Sequence, residues 1–223
     1  MGLPAFLFGT AMHPDSPKLW DISALIHRDT AVYPGDTPYE STWNARISAD
    51  CPVNVGTLRM STHLGTHVDA PLHYAAHGEA AGAMALSPFI GRCRVIHAMD
   101  SGPLVQWSDL AHAITADLPP RILVRTCAQA AQHWDPNLTA LAPEVIAQLH
   151  ARGVQLIGID TASIDPANSA DLPSHMQVRA RQMRILENLV LDAVPEGDYQ
   201  LIALPLKLME ADASPVRAVL LAL

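Results

Sequence analysis

The chain has 223 residues, 49% of them hydrophobic and 16% charged, with a formal net charge of −8. That balance supplies apolar surface for a folded domain and excludes an intrinsically disordered chain. No Lys/Arg cluster offers a nucleic-acid footprint, no apolar run approaches the ~20 residues of a membrane helix, and Cys51, Cys93 and Cys127 are too few and too scattered for a disulfide framework or a thiolate zinc site.

The opening residues MGLPAFLFGTA hold a short apolar run without a basic leader segment, and Phe6 stands where a myristoylation signal needs Ser or Thr. A soluble, cytoplasmic protein is expected, with neither membrane nor nucleic-acid partners. Residues 1–17 read as an N-terminal extension, ordered or not, and residues 18–223 as a single domain; Met12 is an alternative start. A first strand is predicted around Leu19 to Leu25, and Pro34-Gly35-Asp36 marks a sharp turn. VNVGTLRM (53–60) and CRVIHA (93–98) have the β-branched, alternating character of strands.

RILVRTCA (121–128) reads as a buried strand. A helix starts at Pro143, a favoured first helical position, carries Val145, Ile146 and Leu149 on one face, and stops at Gly153. VQLIGIDT (154–161) then forms another strand, and a strand–helix–strand unit of this length needs at least two parallel neighbours. A short helix is predicted through 176–187, and late strands over 198–208 and 216–223. The fold class is α/β, with a mixed β-sheet at its core.

Residues 61–74, STHLGTHVDAPLHY, concentrate ligand-type side chains. In one extended strand His63 and His67 would stand about 13 Å apart, too far for one metal. In a helical turn the pair would lie about 6 Å apart, but Gly65, Thr66, Val68 and Pro71 oppose a long regular helix. A tight turn at Leu64-Gly65-Thr66 reconciles the two, and Asp69 then reaches one metal or bridges two. On spacing alone a His- and Asp-rich surface loop remains open, and His73 taken singly reads as an ordinary packed or solvated histidine. Asp160, at a strand end, is read as the cap of a turn with Thr161 or Ser163.

HLGTHVDAPLH, with VYPGDTP (32–38), GIDTASIDP (158–166), RILENLVLD (184–192) and IALPLKLMEADASPVRAVL (202–220), resembles the bacterial kynurenine formamidases. These are arylformamidases of the metal-dependent cyclase-like family, and the likeness runs from about Trp20 to the C-terminus. The resemblance implies a cyclase-like swivelling β/β/α domain. It also implies hydrolysis of N-formyl-L-kynurenine to L-kynurenine and formate, in tryptophan degradation by the kynurenine pathway. It places two divalent metal ions, zinc with manganese as the alternative, on His63, His67, Asp69, His175 and Glu187, with Asp69 bridging. It makes His73 the proton-transferring catalytic residue, puts Tyr33 against the substrate, and implies a homodimer.

Three positions depart from the family pattern. Tyr33 stands where tryptophan is usual, Leu172-Pro173-Ser174 precede His175 where an aspartate and an alanine are expected, and Asn188 replaces a glycine common after the glutamate. Tyr33 keeps open a sister hydrolase acting on a cyclic amide such as isatin, and a metal-binding protein without turnover is a further alternative. No Gly-x-Ser-x-Gly elbow supports a serine hydrolase.

Overall fold

The apolar runs read as buried strands lie side by side at the middle of a sheet whose two faces are both covered. The computed structural model describes residues 17–223; the expected N-terminal extension, apart from Pro17, lies outside them. In chain order come β1 (Leu19–Asp21), β2 (Glu40–Ala45), β3 (Val55–Arg59) and β4 (His67–Asp69). The helical turn α1 (Pro71–Tyr74) is followed by β5 (Ile90–His97), β6 (Leu104–Val105), α2 (Trp107–Leu110), β7 (Arg121–Arg125) and β8 (Ala140–Leu141). The last part holds α3 (Pro143–His150), β9 (Leu156–Ile159), α4 (Pro173–Ala180), β10 (Arg184–Glu187), β11 (Gly197–Ile202), β12 (Ala213–Pro215) and β13 (Val219–Ala222).

Among the described residues nine strands form one sheet in the order β1-β13-β11-β5-β7-β9-β10-β4-β12. Strands β5, β7, β9 and β10 run parallel, and the flanking pairs are antiparallel. The sheet is mixed, as expected, and α3 makes the predicted crossover between parallel β7 and β9.

Alternation of side chains across the pleat splits the interior in two. Ile122, Val124, Ile157, Ile159 and Ile185 meet Val145, Ile146 and Leu149 of α3 and Val178 of α4 on one face. Leu123, Leu156 and Leu186 join Phe89, Val95, Leu201 and Leu220 on the other. Burial on both faces is why these strands read as continuous apolar runs.

Four elements differ from their predicted extents or placement, the first being the strand expected from Leu19 to Leu25, which ends at Asp21. The helix expected through 176–187 is α4, which ends at Ala180; the ILE segment belongs to β10. Gln182 at φ 54° turns the chain out of the helix, Met183 donates back to the Val178 carbonyl, and Ile185 and Leu186 then serve opposite cores. Glu187 thus sits at the end of a strand. The strand expected over 198–208 stops at Ile202, before Pro205, which has no N–H to pair. VNVGTLRM supplies β3, but β3 pairs only with β2 in a two-stranded ribbon outside the main sheet.

The segment after α1 folds back tightly. Gly78 donates to the Ala75 carbonyl at 2.8 Å, Leu72 donates to the Glu79 carbonyl at 3.1 Å, and a Cβ on Gly78 would overlap the Pro71 carbonyl. Gly78→Ala should therefore destabilise the protein by about 1–3 kcal/mol, the usual cost of overpacking. An unchanged denaturation midpoint would contradict this packing.

Candidate metal centre

The cluster is assembled by one bend, two strands and the starts of two helices. Gly65 at φ 67° makes the bend, a left-handed conformation that glycine adopts without strain. It brings the His63 and His67 rings to 5.0 Å between centroids. The bend is anchored from both sides: the Thr66 hydroxyl donates to the Asn188 carbonyl, accepts the Ala24 amide, and the Thr66 carbonyl accepts the Val216 amide. In β4 the period of two turns His67 and Asp69 to one face and Val68 into the opposite core. Antiparallel pairing with β10 sets Glu187 directly across from His67. Helix α1 adds His73, and the first turn of α4 adds His175.

All five predicted ligands and His73 therefore converge. His67, Asp69, His175 and Glu187 are buried; His63 is partly buried and His73 has 32% of its side chain exposed. His63 Nδ1 lies 3.0 Å from Asp69 Oδ1. His67 Nε2 lies 3.4 Å from Asp69 Oδ1 and 3.3 Å from Glu187 Oε2. His175 Nε2 lies 3.2 Å from Asp69 Oδ2 and 3.8 Å from Glu187 Oε1.

The other nitrogen of each of these three imidazoles meets an acceptor. His67 Nδ1 donates to the Gly65 carbonyl at 2.9 Å, His175 Nδ1 to Asp165 Oδ2 at 2.7 Å, and His63 Nε2 to Asp212 Oδ2 at 3.1 Å. With those outer nitrogens carrying the hydrogens, the inner nitrogens present lone pairs to Asp69 and Glu187. Lone pairs facing carboxylates in a buried site need a positive charge between them. His67 Nε2 and Asp69 Oδ1 are buried and hydrogen-bond to nothing.

The protonation energetics show the same demand. Burial disfavours a charge on His67, but Asp69 and Glu187 outweigh it and raise the imidazole to about 10. His175 is raised to about 10 against its burial by Asp165 and Asp69. Burial would lift Asp69, yet the three histidines around it hold it well below the usual carboxylate range. A divalent cation satisfies this demand without protonating the imidazoles. Two groups have ligand atoms within 4.8 Å of one another, His63/Asp69/His73 and His67/Asp69/Glu187, and Asp69 is common to both. Ligands bound tetrahedrally at about 2 Å from one ion lie about 3.3 Å apart, close to the separations above. An all-nitrogen and oxygen set suits zinc or manganese.

Two acidic residues at the site carried no role in the sequence reading. Asp165 accepts the Ser174 and His175 amides at 2.9 Å each, capping α4, besides holding His175 Nδ1. Those donors keep its carboxyl below the usual range although burial opposes it. Asp212 accepts the Thr62 hydroxyl at 2.9 Å and lies 3.4 Å from His73 Nδ1. Burial would raise Asp212, but His63 and Thr62 lower it to about 2. Each lies within a quoted segment, yet nothing local links Asp212 to His63, 149 positions away.

Leu172, at φ 45°, is the residue before α4, so Pro173 and Ser174 form the first turn of the helix, not a loop, and Asn188, at φ 55°, occupies a conformation in which asparagine is the usual substitute for glycine. Asp160 is structural, as read, but takes the Thr126 and Cys127 amides and the Thr126 hydroxyl instead of a turn at Thr161 or Ser163.

A cavity of about 450 Å³ opens over the cluster. Tyr33 stands at its rim, 54% exposed, and meets Trp134 edge to face at 5.0 Å. The sequence reading did not single out Trp134.

Residues 20–166 match the model of the Cyclase family, described as "Putative cyclase". A kynurenine formamidase of Paracidovorax citrulli is 60% identical over 206 residues, spanning 91% of this chain and 95% of that protein. A solved structure described as a potential metal-dependent hydrolase with cyclase activity is 26% identical, with a TM-score of 0.78 over 91% of this chain and 96% of that one. Isatin hydrolase A of Labrenzia aggregata superposes with a TM-score of 0.77 over 92% of this chain and 93% of its own; at 21% identity it shares the fold.

Because Asp165 fixes the His175 ring from outside, Asp165→Asn should weaken divalent-metal affinity about 10–100-fold. Competition with a chromogenic chelator measures this, and an unaltered affinity would contradict the role given to Asp165.

Proposed function

The chain belongs to the Cyclase family and within it to the kynurenine formamidases, and on that premise we propose how its site hydrolyses N-formyl-L-kynurenine to L-kynurenine and formate. The observation that carries the reading is the buried, unpartnered pair His67 Nε2 and Asp69 Oδ1, with His67 lining a cavity that also has Tyr33 and Trp134 on its wall.

His63, His67, Asp69, His175 and Glu187 would hold two divalent ions, zinc by preference, with Asp69 shared between them. Bound ions would supply Lewis acidity, lowering the pKa of a water to about 7 and polarising the formyl carbonyl. The chain's own residues do the rest. Tyr33 and Trp134 offer apolar faces to the aryl ring. Tyrosine gives less area than tryptophan at position 33, and Trp134 restores an indole to the same rim.

His73 borders the cavity with its ring 4.2 Å from that of His63 and 6.0 Å from that of His175. It takes a proton from the attacking water at Nε2 and returns it to the anilide nitrogen as the C–N bond breaks. A positioned proton carrier of this kind is typically worth about 10²–10⁴-fold.

The proposal extends to a homodimer. Two strands alone are marginal in water, yet the β2–β3 ribbon is almost wholly exposed. Trp43, Ile47, Val53, Val55 and Leu58 are each 45–65% exposed there, an apolar surface suited to a second copy. Residues 18–223 act as one domain, since β1 pairs with β13 and so joins the two ends of the described chain. Free thiols at Cys51, Cys93 and Cys127 suit a cytoplasmic setting, and no described helix is long and apolar enough to cross a membrane.

Purified protein should hydrolyse N-formyl-L-kynurenine, lose that activity on chelation and regain it with added zinc or manganese. Isatin, assayed alongside, should turn over far more slowly; equal or faster isatin hydrolysis would contradict the substrate assignment. Leu58→Arg on the exposed ribbon should convert a dimer to a monomer in light scattering, and an unchanged mass would separate the ribbon from assembly.

A further inference from the structure

Asp212 takes no part in the chemistry above, yet three side chains converge on it. It directly precedes β12, and its backbone carbonyl accepts the Ala70 amide at 2.9 Å, beside the entry to α1. Its Oδ1 accepts the Thr62 hydroxyl, leaving Oδ2 3.1 Å from His63 Nε2 and 3.4 Å from His73 Nδ1.

His73 needs such a partner. It sits on a four-residue helix with a third of its side chain exposed, so packing alone does little to set its ring. Among the described residues Asp212 is the one side chain that hydrogen-bonds to it. An imidazole that moves a proton between two reacting atoms must keep one nitrogen bare and aimed at them, and an acceptor at the other nitrogen decides which one that is.

We infer that Asp212 is the positioning residue for His73, its Oδ2 accepting the Nδ1–H so that Nε2 faces the cavity as the proton-carrying atom. The inference rests on the reading of His73 as the proton carrier. Attack of water on the formyl carbon releases a proton to Nε2, and the imidazolium so formed keeps its Nδ1–H on the Asp212 carboxylate. That proton passes to the anilide nitrogen as the C–N bond breaks with its electron pair on nitrogen. Formic acid and the amine leave, the acid giving its remaining proton to solvent as it becomes formate, and His73 is neutral again. The contact strengthens while the ring is charged, so Asp212 favours the transition state over the ground state.

The experiment compares the parent enzyme, Asp212→Ala, His73→Ala and the double variant on ring-substituted formanilides of graded leaving-group basicity. Metal content is measured by elemental analysis, and histidine tautomers by NMR on ¹⁵N-histidine protein, metal-free and metal-loaded. Assayed at saturating metal, because the variant also loses the outer tie of His63, Asp212→Ala should lower kcat about 10²-fold for strongly basic anilines, with the loss fading for nitro-substituted ones. It should cost nothing further in the His73→Ala background, and the parent's His73 should be protonated at Nδ1, a preference the variant loses.

A uniform loss across the series at saturating metal, or a further loss on top of His73→Ala, would give Asp212 a role through His63 instead and overturn the inference. If His73→Ala shows no leaving-group dependence, the reading of His73 fails. The NMR result then still decides the contact, and a parent His73 protonated at Nε2 overturns it.

Discussion

Two buried carboxylates surrounded by imidazole nitrogens cannot stay as they are without positive charge among them. Asp69 and Glu187 face His63, His67 and His175 at 3.0–3.8 Å, while the opposite nitrogen of each ring is tied to an outer acceptor. Outer ties to Asp212, the Gly65 carbonyl and Asp165 remove the freedom to rotate the rings away. The remaining choices are protonated imidazoles or bound cations, and only the second leaves a Lewis acid beside an open cavity. His73, Tyr33 and Trp134 border the cavity beside that cluster.

The fold meets the requirement by holding β4 between β10 and β12. His67 and Asp69 point to one face while Val68 locks the strand into the apolar layer behind, so these two side chains cannot shift without disturbing the core. Pairing on both sides also fixes register: a one-residue slip would turn His67 and Asp69 into the wrong layer. Glu187 arrives opposite His67 because it ends a strand, and its Oε1 is further pinned by the Ile164 amide at 2.8 Å.

How much of this the sequence disclosed depended on distance along the chain. His63, His67 and Asp69 share one bend, so ligand type, spacing and Gly65 were enough to place them together. The buried strands at 121–125 and 156–159 and the crossover helix showed as apolar runs and a proline start. Glu187 was misplaced on a helix because RILE is short and follows a genuine helical pattern; only its neighbours β4 and β9 make it a strand. His175 and Glu187 entered as ligands through family likeness, since no local pattern distinguishes them from solvated residues. Asp165 and Asp212 remained unread because their partners are tertiary. Trp134 joined Tyr33 only once the chain had folded, which changes the meaning of the tyrosine at that position.

The central proposal is that His63, His67, Asp69, His175 and Glu187 would together hold two divalent ions. Anomalous diffraction at the zinc absorption edge, from a crystal grown with excess zinc, tests it most directly. The account predicts two strong anomalous peaks sharing Asp69, with His67, His175 and Glu187 nitrogen or oxygen atoms about 2.0–2.2 Å from them. A site with no peak, or with His175 and Glu187 turned away from whatever metal is present, would contradict it.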